Sequence, residues 1–91
     1  MTTQFTKDTA AKRASVMLTT IMDAAKPYLV ELRNESLTVK RFDEIAEDVN
    51  EEARLGLTTV GECLTCLVSD DQGQADMFIV LYTHFVEDLE S

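Results

Sequence analysis

Residues 38–55 read TVKRFDEIAEDVNEEARL, and this stretch sets the fold class. Val39, Phe42, Ile45, Ala46, Val49 and Ala53 recur at steps of three and four. On a helix of 3.6 residues per turn they fall within one narrow stripe. Asp43, Glu44, Glu47, Asp48, Glu51 and Glu52 take the opposite side. A helix of this pattern buries its stripe against other elements and leaves its acids in water. Gly56 is placed to end it as the left-handed residue after the last turn.

On the N-terminal side, the same period runs through residues 6–33. Ala10, Ala14, Met17, Leu18, Ile21, Met22 and Ala25 keep three- and four-residue steps. Thr6 is positioned to cap the start, with Asp8 in the first turn and Phe5 and Ala10 as a hydrophobic staple. Pro27 lacks an amide N–H and clashes with the preceding turn, so it breaks or kinks the helix. Tyr28, Leu29 and Leu32 nevertheless continue the stripe in phase. The expectation is one kinked helix or two nearly coaxial ones, roughly 40 Å long at 1.5 Å per residue.

On the C-terminal side, a short helix is expected over residues 59–68. Thr59 and Glu62 have capping-box spacing, and Val60, Cys63, Leu64 and Leu67 form its apolar face. A longer helix is expected over 71–89, capped from among Ser69, Asp70 and Asp71, with Ala75, Phe78, Leu81, Tyr82, Phe85 and Leu89 as its core stripe. A second reading stays open here. Residues 63–68 and 77–82 are strand-friendly runs around Gly73, and a β-hairpin there would make the fold α+β. The agreement of caps with period favours an all-α fold, a small bundle of about four helices with a long kinked N-terminal one. Its core would hold Leu18, Ile21, Leu29, Phe42, Ile45, Val49, Leu64, Leu67, Phe78, Leu81 and Phe85.

Ninety-one residues make one helical domain, 1–91, since a second core does not fit. Two cysteines are too few for a disulfide scaffold. The N-terminus has no apolar signal region, and the longest apolar run, residues 77–82, is far short of the roughly 20 residues that span a bilayer. No membrane association and a cytoplasmic location with reduced thiols are therefore expected.

Net charge is −9, unevenly placed. Residues 1–42 carry seven Lys/Arg against four Asp/Glu, a balance of +3. Residues 43–91 carry Arg54 alone against thirteen Asp/Glu, a balance of −12. Phosphate repulsion opposes direct nucleic-acid binding by the second half, while a basic protein surface would attract it.

No catalytic or cofactor constellation emerges. Cys63-x-x-Cys66 lacks the further ligands that a zinc site needs, and Cys63 falls a full turn inside its helix, away from the N-terminal amides that activate a redox thiol. Two small core residues are the better reading. His84 has no nucleophile beside it in sequence and reads as a surface or interface residue. Three glycines in no phosphate-loop pattern argue against the usual nucleotide motifs, and the Asp70–Asp71 pair lacks the calcium-loop pattern. The segments around Gly56 resemble a helix-turn-helix in spacing, but the second carries Glu62 and no Lys or Arg, so major-groove reading is rejected. No metal, cofactor or enzymatic activity is expected.

Two features remain. The acids of residues 43–52 form two rows at i, i+4 spacing: Asp43, Glu47 and Glu51, then Glu44, Asp48 and Glu52. Residues four apart on a helix lie about 6 Å apart, broadly like phosphates along a strand. A solvated face that keeps the chain soluble is the plain alternative. Apolar residues off the core stripes, Met77 and Val80 with neighbouring His84, and Val16 and Val30, hint at self-association and a homodimer. The first expectation is a non-enzymatic acidic inhibitor that occupies a basic, nucleic-acid-binding protein surface as a DNA mimic. A small accessory protein of the kind phages carry fits by type, though no residue points to that origin. The second is a self-associating assembly module whose acidity serves only solubility.

Overall fold

The computed structural model describes residues 2–69 and 72–90, with side chains described from Phe5 onward. Five α-helices follow one another: α1 Thr2–Ala25, α2 Leu29–Leu32, α3 Val39–Ala53, α4 Leu57–Ser69 and α5 Gly73–Glu90. A 3₁₀ turn, Lys26–Tyr28, joins α1 to α2. No strand occurs among the described residues; both runs of the hairpin alternative lie inside α4 and α5. The fold is an all-α bundle. α1 packs on α3 and α5, and α4 packs on the same two, so the four long helices close a ring around one core.

Pro27 acts as its chemistry requires. It sits in the tighter 3₁₀ turn, and the chain resumes as α2 with Leu32 buried. The start of α1 differs from expectation. The helix is already formed at Thr2, so Thr6 is an interior residue rather than a cap. Phe5 is 73% exposed and forms no staple against the buried Ala10.

α3 follows its sequence pattern closely. Thr38 is its N-cap, and its hydroxyl accepts a hydrogen bond from the Arg41 amide at 3.1 Å. Ile45, Ala46, Val49 and Ala53 are buried and Phe42 is half-buried, whereas Val39, expected in the same stripe, is 79% exposed. The ending is a correction. Arg54, not Gly56, takes the left-handed position, at φ 56°. Asn50 holds the turn: its Oδ1 accepts from the Leu55 and Gly56 amides at 2.9 and 3.0 Å. These amides would otherwise lack partners at a helix junction. Gly56, at φ 100°, then leads straight into α4, whose Val60 amide donates to the Gly56 carbonyl at 3.1 Å. Thr59 consequently lies inside the first turn of α4 and is not its cap.

The expected caps Asp70 and Asp71 lie outside the described residues. α5 begins at Gly73, and the Asp76 amide donates to the Gln72 carbonyl at 2.9 Å. The core stripe of α5 is turned from the one expected. Gly73, Met77, Leu81 and Phe85 are its buried residues, whereas Ala75 is exposed. The reason is that α5 has two neighbours, α1 and α4. It buries a wide arc centred on the i, i+4 line through Met77, with Phe78, Val80, Tyr82 and Leu89 half-buried at its edges. Of the expected core, Ile21, Ile45, Val49, Leu64, Leu67, Leu81 and Phe85 are buried, while Leu18, Leu29, Phe42 and Phe78 are half-buried against it. Fully burying a side chain of this size contributes about 1.5–3 kcal/mol relative to leaving it exposed.

Candidate partner-binding face

Burial of Ile45, Ala46, Val49 and Ala53 fixes the rotation of α3 and so decides what its other side presents. Asp43, Glu44, Glu47, Asp48, Glu51 and Glu52 are all exposed. The two i, i+4 rows read from the sequence therefore stand on the surface as continuous acidic ridges.

The six are not equivalent. Asp48 accepts a hydrogen bond from the Tyr28 hydroxyl at 2.7 Å. Glu44 pairs with the Arg41 guanidinium at 3.3 Å. Arg41 also grips Glu31 with two bonds, Nε to Oε2 and Nη2 to Oε1, the latter at 3.0 Å, and lies 5.8 Å from the Tyr28 ring centre. These residues clasp the segment after Pro27 against the first half of α3. The Arg41 hydrogen bonds hold the Glu31 carboxyl below the ordinary carboxylate range, and the bond to Asp48 raises the Tyr28 hydroxyl above its usual value. Asp43, Glu47, Glu51 and Glu52 form no hydrogen bond or ion pair with the described residues. Like charges one turn apart cost a helix a few tenths of a kcal/mol per pair, so this ridge is held at some cost to α3.

α3 and α4 form a helix-turn-helix pair across residues 54–56. The outer line of α4 is Thr58, Glu62, Thr65 and Ser69, all exposed and without a cation. Two of its hydroxyls turn back on their own helix, Thr65 donating to the Gly61 carbonyl and Ser69 to that of Cys66.

The residues suspected of self-association do not share one surface. Met77 is fully buried and belongs to the core, which corrects its expected place on an outer stripe. Val80 and His84 are half-buried; with Thr59, Glu62, Thr83 and Glu87 they line a polar cavity of about 200 Å³ between α4 and α5. The His84 ring meets Phe85 edge-on, with 5.3 Å between centres. Val16 and Val30 are 67% and 87% exposed, on α1 and α2 respectively. Cys63 is buried, and burial pushes its thiol up to about 12, opposite to what a reactive thiolate needs. Cys66 is half-buried and no disulfide joins the two. No three His, Cys, Asp or Glu side chains among the described residues converge to hold a metal ion. No described helix is long and apolar enough to cross a membrane.

The sequence reading missed Tyr28, Glu31 and Arg41, because partners 10 and 20 residues apart leave no local pattern. It also missed an apolar groove of about 340 Å³ between α1 and α5, lined by Lys12, Arg13, Val16, Met17 and Phe85.

Neither a protein-family model, nor a curated protein, nor a solved structure matches the chain.

Proposed function

We propose that this chain is a non-enzymatic regulator that binds a partner protein through the acidic face of α3. The partner presents a basic surface, of the kind that binds nucleic acid, and the two carboxylate rows take the place of phosphates on it. Occupying that surface inhibits the partner. The observation that carries this reading is the exposure of all six α3 carboxylates, five of them without an internal cation. Charge complementarity of this kind speeds encounter and selects partners by sign.

The test is affinity capture on the immobilised chain from a lysate of the source organism, eluted with rising salt. Exposed charge pairs are screened within about 10 Å at 0.1 M salt. Basic nucleic-acid-binding proteins leaving the column as salt rises support the reading. Recovery of the chain alone, or of partners insensitive to salt, overturns it.

A further inference from the structure

We draw no further inference here: the strongest candidate, the apolar groove between α1 and α5 lined by Lys12, Arg13, Val16, Met17 and Phe85, is an unpartnered face, and nothing in the structure shows what covers it.

Discussion

Two glycines in neighbouring helices carry opposite consequences for the same substitution. Gly61 lies inside α4, and a Cβ there would meet only the Phe42 ring, at 3.6 Å. Glycine in a helix interior costs about 0.5–1 kcal/mol relative to alanine, so Gly61→Ala should stabilise the chain by that amount. Gly73 opens α5 where its backbone crosses the end of α4, and a Cβ would press on the Cys66 carbonyl oxygen. Backbone atoms cannot swing aside, so Gly73→Ala should destabilise by about 1–3 kcal/mol despite alanine's higher helix propensity. Urea unfolding of both variants checks the pair; a loss at Gly61 or a gain at Gly73 contradicts the packing described. The same scale shows what sequence hides. Gly56 looked like the left-handed residue after α3, yet Arg54 holds that position. Asn50 bonds the two amides that follow it, a local arrangement that helical periodicity does not report.

Among the elements, α3 was legible at its Thr38 boundary and in the stripe from Ile45 to Ala53, because one narrow apolar face admits one rotation, while Val39 at its start is exposed and its end falls at Arg54. α5 was not, because apolar residues surround most of it and only its two neighbours decide which line is innermost. That is why Met77, read as surface, is core. The junction between α2 and α3 was invisible for another reason: Tyr28–Asp48 and Glu31–Arg41 join residues distant in sequence. The clasp has two pH limits. Glu31 titrates lower in the folded chain than its ordinary 4.5, so its contribution is present above that value and is lost as pH falls through the folded value. Tyr28 titrates higher than its ordinary 10.0, so the folded chain keeps that proton longer and loses stability as pH rises beyond 10.0. Both side chains are only half-buried, solvent screens them, and the effects are correspondingly small. The stability difference between wild type and Glu31→Gln, measured by urea unfolding, should shrink steadily below pH 4.5. A difference that persists in strong acid contradicts the ion pair's role.

At the level of the whole molecule, both halves of the chain build the core, but charge is divided between them. Residues 1–42, with their positive balance, supply α1, while residues 43–91 hold all the acids of α3. The charge asymmetry was plain in the sequence, and so was the acidic face. Whether its six carboxylates were outward and which were engaged required the fold, since Tyr28 and Arg41 approach from another element.

The most direct measurement is capture of the partner by three forms of the chain: wild type; Asp43→Lys/Glu47→Lys/Glu51→Lys; and Glu62→Lys/Glu87→Lys/Glu90→Lys. The two variants change net charge equally, and the first spares Glu44 and Asp48, which serve the clasp. Capture by the α3 variant should be at least tenfold weaker, about 1.4 kcal/mol or more, with helix content retained, and the second variant should show a much smaller effect. Equal weakening by both would mean that bulk charge and not the α3 face attracts the partner, and undiminished capture by the α3 variant would rule out α3 as the binding face.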